Sequence, residues 1–303
     1  MRYTVREVGN AREFRLFYQF QNRLYRDCPT YVPSLDYDQR HTLAHSPCLD
    51  YCRQQLLLCF DEAGRVAGRC CAIINPRYNE RYGTRRMRFG WTDFIEDFEA
   101  ARALLTAAEE WGRSQGMTEI HGPLGYNTMY KQGLVVEGFD SVPQSNNLYN
   151  FPYYKEYLER LGYGKEADWL QYRFDATQPL PERLQRLSEM LLQRYGLRIA
   201  DIGRLKKDKD IIARFFKEYN AAFRPCAISS RSRTRKSPKK AATTSIAWTT
   251  ACRASSSTAT AASPLSASAS PACHAPCKRH AATCSRWAGG TFFRRRNITT
   301  RSI

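Results

Sequence analysis

Residues 225–303 contain neither aspartate nor glutamate, and this absence constrains the fold more than any other feature of the sequence. The whole chain of 303 residues carries a formal charge of +18, from 47 basic and 29 acidic side chains. All 29 acidic side chains lie in 1–224 beside 33 basic ones, so that segment carries only +4 and the tail carries +14. A charge of +18 normally indicates nucleic acid or an anionic membrane as a partner. Here it indicates two unlike pieces, a balanced segment long enough for a sizeable core and a basic tail.

Three explanations compete for residues 225–303, which are rich in Ala, Ser, Thr, Arg and Pro and show no helical or alternating periodicity. The first is a disordered arm that binds nucleic acid. The second is a metal site, although zinc ligands usually come as paired short spacings in a compact fold. The third is translation of GC-rich codons in a wrong reading frame, which we favour. The metal ligands under the second explanation are Cys273, His274, Cys277, His280 and Cys284.

The reading-frame explanation can be tested on the sequence itself. Shifting the frame so that each codon takes one base from one residue and two from the next permits Asp-Gly-Asp-Gly-Arg-Val-Ala-Ala-Phe-Gly over residues 257–267. That peptide has the plan of the hairpin in 57–68, Leu-Leu-Cys-Phe-Asp-Glu-Ala-Gly-Arg-Val-Ala-Gly. The given frame contains no such hairpin in the tail. We therefore predict an out-of-frame, disordered tail over 225–303.

The first 224 residues predict a mixed α/β layer of strands and helices. Apolar residues recur at three and four between Glu96 and Gly116, which is typical of an amphipathic helix. Adjacent Cys70 and Cys71 in an apolar run favour buried free thiols and the reducing cytoplasm. No run approaches the roughly 18 apolar residues of a spanning helix. The predicted strands are Tyr3–Val8, Gln54–Phe60, Arg65–Asn75, Met87–Ile95, Thr118–Gly122 and Glu166–Asp175, and the other helices are Ala11–Arg26 and Tyr153–Leu161.

The order of elements begins again after residue 178, which predicts the start of a second unit there. Leu184, Leu187 and Leu191 predict a helix, Leu197–Ile202 a strand and Asp208–Phe223 a further helix. This order predicts three parts. They are an N-terminal repeat in 1–178, the beginning of a second repeat in 179–224, and the tail in 225–303.

Four separated blocks resemble the bacterial ceramide synthase-like proteins, which are GNAT-type acyltransferases with two fold repeats. The blocks are Arg88–Phe94 (RFGWTDF), His121–Gly125 (HGPLG), Val136–Asp140 (VEGFD) and Tyr149–Tyr154 (YNFPYY). The resemblance implies a strand meander that feeds a long helix. It also implies acyl transfer from acyl-CoA, as co-substrate, to a lipid-like long-chain amine. The expected location is the cytoplasm with peripheral contact at the inner membrane, and no specific nucleic acid is expected as a partner.

The chain departs from that family at the cofactor loop. GNAT enzymes bind the coenzyme A pyrophosphate through Gln/Arg-x-x-Gly-x-Gly/Ala at a helix N-terminus, where free N–H groups and the helix dipole suit phosphate. Residues 1–224 contain no match, and acidic Ile95-Glu96-Asp97-Phe98 stands at the corresponding position. The resemblance then places the cofactor loop in the second repeat. We expect that this chain binds no cofactor or metal and is inactive.

Candidate site residues come from the same blocks and from the polar loop 125–150. His121 is a weak candidate for a general base, because the pKa of histidine lies near neutrality, and the alternative is a loop histidine packed on an aromatic ring. The other candidates have equally plain structural alternatives, namely solvated turns, local capping and aromatic core. The candidates for substrate binding are Tyr126, Asn127, Glu137, Asp140, Tyr149, Asn150 and Tyr153.

Two other functions remain open at this point. One is a tandem acyltransferase of the aminoacyl or peptidoglycan type, and the other is a non-enzymatic basic protein that binds nucleic acid. No Ser/His/Asp or Cys/His nucleophile signature is apparent, which agrees with direct attack of an amine on a thioester.

Overall fold

A computed structural model describes residues 2–127, 129–143, 147–173, 179–199, 210–222, 266–267, 285–287 and 290–296. Its main element is an eight-stranded sheet in the order β1-β2-β3-β4-β5-β11-β6, with β7 also paired to β11. The strands are β1 (Tyr3–Glu7), β2 (Arg53–Asp61), β3 (Val66–Ile74), β4 (Arg86–Phe94), β5 (Glu119–Gly122), β6 (Leu134–Val135), β7 (Gly164–Asp168), β8 (Gln171–Arg173), β9 (Ser266–Ala267), β10 (Ser285–Trp287) and β11 (Gly290–Arg296). The helices are α1 (Ala11–Leu24), α2 (Asp36–His45), α3 (Pro76–Tyr82), α4 (Phe98–Ser114), α5 (Tyr153–Arg160), α6 (Glu182–Arg194) and α7 (Ile211–Ala222).

Strands β1 to β4 form an antiparallel meander that leads into α4, and β5 then pairs with β4 in parallel. This is the arrangement that the family resemblance implied, and the predicted mixed α/β class is confirmed. Strand β3 is buried from Ala67 to Ile74, because it lies inside the sheet with helices on both faces. The meander therefore determines where β4 ends and α4 begins.

Helix α4 packs on one face of the sheet. Asp97 accepts a hydrogen bond from the Glu99 N–H at 2.9 Å and caps the helix. The apolar stripe that includes Leu104, Leu105 and Ala108 is buried in the larger core cluster. Gly116, which has φ +76°, ends the helix region as predicted, because glycine adopts this left-handed conformation without a Cβ penalty.

The other face carries α1, whose Phe17, Tyr18 and Phe20 are buried. Asn10 caps α1 by accepting from the Glu13 N–H at 2.9 Å. The sequence reading missed α2 and α3. Helix α2 buries only Leu43, so it has almost no apolar period to detect, and α3 is only seven residues long.

The predicted strand Glu166–Asp175 is wrong in its bounds, because the structure has two strands, β7 and β8, on either side of Trp169 and Leu170. Helices α6 and α7 lie where helices were predicted. Of the predicted strand Leu197–Ile202, residues 197–199 form no strand and 200–202 lie outside the described residues. The division into two repeats stays a prediction.

The tail differs from the sequence expectation at three places, because β9 and β10 pair with β8 in a second, three-stranded sheet and β11 joins the main sheet. Gly290–Arg296 is not disordered but forms β11 within the main sheet, and its Phe293 is 1% exposed. Periodicity could not show this, because β11 is held by pairing with strands more than a hundred residues away. The tail cysteines and histidines considered as metal ligands lie outside the described residues.

The six cysteines of the first 224 residues are free thiols, and all except Cys28 are buried. Among the residues that the structure describes, no helix is both long and apolar enough to cross a bilayer. The same residues contain no group of three His, Cys, Asp or Glu side chains placed to hold a metal ion.

Candidate functional site

A groove of about 380 Å³ lies where β4 ends and α4 begins. Its walls come from three places that are distant in the sequence, the end of α1, the β4–α4 loop and the start of α5. Its volume is within the range of small-molecule sites, and such sites are mostly apolar with a few polar groups. The lining residues are Leu24, Ile95, Glu96, Phe151, Pro152 and Tyr153.

An aromatic wall borders this groove. The ring of Tyr153 stacks on Phe151 at 5.5 Å and its hydroxyl donates to the Phe94 carbonyl at 2.7 Å, so the ring is fixed at both ends. Tyr149 lies behind, with its ring centroid 4.9 Å from Tyr25 and 5.4 Å from Tyr31. Such a wall offers apolar area at a small cost in side-chain entropy, since aromatic rings have few rotatable bonds.

The rim of the groove is acidic. Glu96 lines it and is exposed. The neighbouring Asp97 accepts from the Tyr3 hydroxyl at 2.8 Å and forms an ion pair with Arg2 at 3.0 Å. Partial burial acts to raise the pKa of Asp97, but these hydrogen bonds and the Arg2 charge outweigh it and lower that pKa. The α4 N-terminus thus already holds a carboxylate, which disfavours a phosphate there.

A buried polar network lies behind the aromatic wall. Asp93 accepts from Arg69 Nε at 2.7 Å and from the Tyr25 hydroxyl at 3.0 Å, and the Arg69 and Asp93 side chains are 1% and 3% exposed. The Tyr25 and Tyr154 hydroxyls are 2.8 Å apart, and Tyr154 also accepts from the Phe94 N–H at 2.9 Å. Burial raises the pKa of both tyrosines, so both stay neutral donors. The network ties α1 and α5 to the end of β4.

A β-bulge in β4 creates this network. Trp91 and Thr92 both stand opposite Cys70, and Trp91 has φ +45°, a rare conformation for a residue with a side chain. The extra residue brings Asp93 directly opposite Arg69. Beside the bulge, a Cβ on Gly90 would lie 2.4 Å from the Leu124 carbonyl oxygen. Only glycine therefore allows the chain after β5 to approach β4 so closely.

His121, the weak candidate for a general base, lies on β5 and is 1% exposed. Its Nδ1 is 3.4 Å from Glu166 Oε2, and its buried Nε2 has no hydrogen-bond partner among the described residues. Burial lowers the pKa of His121 to about 4, against the opposing effect of Glu166. The imidazole is thus neutral at pH 7 and weakly basic, and it is not among the residues that line the groove.

Of the predicted binding residues, the structure places Tyr153 in the lining of the groove and Tyr149 behind it, with its ring centroid 6.4 Å from Phe151. Tyr126 and Asn127 lie in a separate cluster with Cys48, whose Sγ accepts from Asn127 Nδ2 at 3.3 Å. The Tyr126 side chain is buried and its hydroxyl donates to Gln54.

The remaining predicted residues lie in the loop before α5. Asn150 is 3% exposed and bonds both the N–H and the carbonyl of Val135, at 2.8 and 3.0 Å. It therefore acts as a strand partner for β6. Glu137 and Asp140 are exposed in the turn around Gly138, and Asp140 accepts from the Ser141 hydroxyl at 3.3 Å.

The sequence reading missed Leu24, Phe151 and Pro152 as groove residues and the pair Arg69–Asp93 as the support behind it. One signal for the pair is present in the sequence. Arg69 and Asp93 each interrupt an apolar strand, and buried charges are found almost only in pairs. The distance between their strands along the chain concealed the match.

No protein-family model matches the chain. It is 32% identical over 228 residues to Protein YghO of Escherichia coli, a match that covers 73% of this chain and 58% of that protein. It is 27% identical over 254 residues to the bacterial ceramide synthase of Caulobacter vibrioides, covering 81% of this chain and 65% of that enzyme. Both matches support the resemblance to the bacterial ceramide synthase-like proteins that the four sequence blocks indicated.

The chain spans about three fifths of the length of the curated relatives that it matches. A match over 81% of 303 residues also includes part of the segment after residue 224. Among solved structures, a tandem GNAT protein from the clavulanic acid biosynthesis pathway has TM-score 0.41 and 15% identity, covering 59% of this chain and 52% of that one. Spermidine N-acetyltransferase from Vibrio cholerae has TM-score 0.34 and 15% identity, covering 56% of this chain and 85% of that one.

Proposed function

We propose that this chain is part of an N-acyltransferase that joins an acyl group to a long-chain amine. The observation that carries the proposal is its similarity to a bacterial ceramide synthase. In such a reaction the amine nitrogen bonds to the thioester carbonyl carbon, the C–S bond breaks, and the thiol leaves with a proton. The protein has to hold the two reactants together and stabilise the developing oxyanion.

The groove suits the acceptor amine better than the acyl donor. Phe151, Tyr153 and Ile95 offer apolar walls for an alkyl chain, and Glu96 offers a carboxylate at the rim for an ammonium group. The coenzyme A pyrophosphate, in contrast, would meet Glu96 and the capping carboxylate of Asp97. We therefore assign the acceptor to this groove and propose that the chain alone does not catalyse transfer.

Binding and turnover test these two statements separately. Sphinganine is expected to bind the purified chain, and Tyr153→Ala and Glu96→Gln each weaken that binding by about tenfold, which corresponds to roughly 1.4 kcal/mol. Glu110→Gln, an exposed carboxylate on α4, is the matched control and leaves binding unchanged. Equal binding by all four proteins contradicts the acceptor site.

Turnover is measured with palmitoyl-CoA and sphinganine, and amide formation is followed by mass spectrometry. We expect no amide above the rate without protein. Amide formation above that rate contradicts the proposed inactivity but leaves the acyltransferase assignment in place. A parallel reaction with aminoacyl-tRNA as donor separates the aminoacyl-transfer alternative.

We also propose that the coding sequence changes frame near residue 224. The acid-free composition after that point supports this, together with the hairpin that the shifted frame permits. The nucleotide sequence around codons 223–228 tests it. A one-base insertion or deletion there, followed by a long open frame, is the expected result. An intact frame that agrees with its relatives contradicts it.

A further inference from the structure

Strand β11 fills a slot between two parts of the sheet. Its residues Phe293–Arg296 pair antiparallel with β5, and Gly290 and Thr291 pair with β6. Thr291–Arg294 pair antiparallel with β7. Because Phe293 and Arg294 pair with both β5 and β7, these two strands lie on opposite edges of β11. Everything that forms the slot belongs to the charge-balanced part of the chain.

The slot requires a strand from elsewhere. Neighbouring strands lie about 4.8 Å apart, so β5 and β7 on either side of β11 are roughly two spacings apart and cannot pair with each other as they stand. An empty slot would leave the facing backbone N–H and C=O groups of both strands without ladder partners. The pairing geometry thus defines a site for one extended segment.

The interior of the slot selects an apolar side chain. Phe293 is 1% exposed and belongs to the core cluster that also contains Phe89, Tyr163 and Met87. Burial of a phenylalanine side chain contributes about 1.5–3 kcal/mol. A charged residue in place of Phe293 would be buried without a partner, so the slot discriminates strongly at this position.

The walls of the slot select basic side chains. Arg294 contacts Glu119 at 2.8 Å and Glu166 at 3.3 Å, and Arg295 contacts Glu109 at 2.8 Å. The three carboxylate side chains are 22%, 23% and 5% exposed. Arg86 forms ion pairs with both Glu119 and Glu166, and Arg113 is 3.7 Å from Glu109. Apart from β11, the three carboxylates of the slot are thus paired with only two described arginines, Arg86 and Arg113. The walls of the slot therefore keep an excess negative charge, which favours a basic incoming strand.

We propose that this slot is a strand-acceptor site, which binds an extended segment by the pattern of one apolar residue followed by two arginines. Segment 290–296 of the same chain occupies it. Backbone pairing with β5, β6 and β7 holds the segment, and the pockets for Phe293, Arg294 and Arg295 supply the selectivity, as in other cases of strand addition to a sheet edge. A basic, acid-free tail can provide such a segment whether or not it was selected for this role.

Hydrogen exchange on the full chain tests the site. In the wild-type chain the amides of 291–295 are expected to exchange slowly, and fast exchange there overturns the proposal. Phe293→Asp is expected to release the strand and to speed exchange in 119–122 and 164–168 at least tenfold, while exchange in α4 stays unchanged. Unchanged slow exchange in both segments also overturns it.

A peptide added to the Phe293→Asp chain tests selectivity. The peptide of residues 289–297, Gly-Gly-Thr-Phe-Phe-Arg-Arg-Arg-Asn, is expected to restore slow exchange in 119–122 and 164–168. The same peptide with aspartate at the Phe293 position, or with glutamate at the Arg294 and Arg295 positions, is expected to fail. Restoration by either control, or none by the first peptide, overturns the proposal. If Phe293→Asp also opens α4, the double variant Arg294→Glu/Arg295→Glu, whose replaced side chains are 14% and 22% exposed, takes its place.

Discussion

Helices α4 and α6 are both amphipathic, yet the sheet covers one and leaves the other exposed. Helix α4 buries seven of its 17 residues, whereas α6 buries none of its 13. On α6, Leu184, Leu187 and Met190 are 50%, 43% and 50% exposed. Periodicity therefore shows that a helix has an apolar face, but only a neighbouring element can cover that face.

The difference follows from what each helix meets. The strands β1, β2 and β3 present a continuous apolar face, and α4 lies across it. Within the described residues, no comparable face lies against α6, where Leu184, Leu187 and Leu191 stay at least 39% exposed. The fold up to Asp168 thus covers α4 with its own residues, and only the gap between β5 and β7 is filled from outside, by β11.

The largest effect is expected from breaking the buried pair behind the groove. Arg69→Leu leaves Asp93 buried without its cation, which costs about 3–5 kcal/mol of unfolding free energy. Arg65→Leu is the matched control, because the Arg65–Asp61 pair is also 2.8 Å long but its arginine is 82% exposed. Exposed pairs contribute at most about 1 kcal/mol. Urea unfolding of the two variants measures the difference.

The double variant Arg69→Leu/Asp93→Leu sharpens this result. Replacing both charges removes the uncompensated carboxylate, so the double variant is expected to be more stable than Arg69→Leu alone. Equal losses in Arg69→Leu and Arg65→Leu would show that the fold up to Asp168 does not depend on this network.

Most of the sheet could be predicted from the sequence, but little of the groove could. The meander, α4 and the start of α5 each have a local signal, in alternation, capping or period, and each was predicted within a few residues. The groove has no such signal, because Leu24, Glu96 and Phe151 come together only when α1 and α5 meet the end of β4. The β4 bulge, which sets Asp93 opposite Arg69, is likewise visible only in the register. Strand β11 was missed because its partners, not its own residues, define it.

A second, smaller effect is expected from pH, through His121. Its pKa of about 4 in the folded protein lies below the ordinary 6.5, so the unfolded chain binds the proton more tightly. Stability is therefore complete above pH 6.5 and falls as the pH drops toward 4, by about 2 kcal/mol between pH 7 and 5. Glu166, with a pKa of about 2, begins to contribute only below its ordinary 4.5, so this window isolates the histidine.

Urea unfolding at pH 7 and pH 5 measures this effect. His121→Gln is expected to remove most of the pH dependence, whereas the exposed His45→Gln leaves it in place. If the wild-type chain is equally stable at both values, or if His45→Gln flattens the profile, then burial of His121 is not its cause.

The smallest effect is expected on α6, where the comparison with α4 is most direct. Leu187→Lys replaces a side chain that is 43% exposed, so the unfolding free energy should change by no more than about 0.5 kcal/mol. The same substitution in α4, Leu104→Lys, buries a charge at a position that is 0% exposed and should cost several kcal/mol. Because α6 exposes an apolar stripe, Leu187→Lys should also reduce self-association in sedimentation velocity. A loss above 1 kcal/mol for Leu187→Lys would instead mean that α6 has a covering surface in solution, and the contrast between the two helices would then vanish.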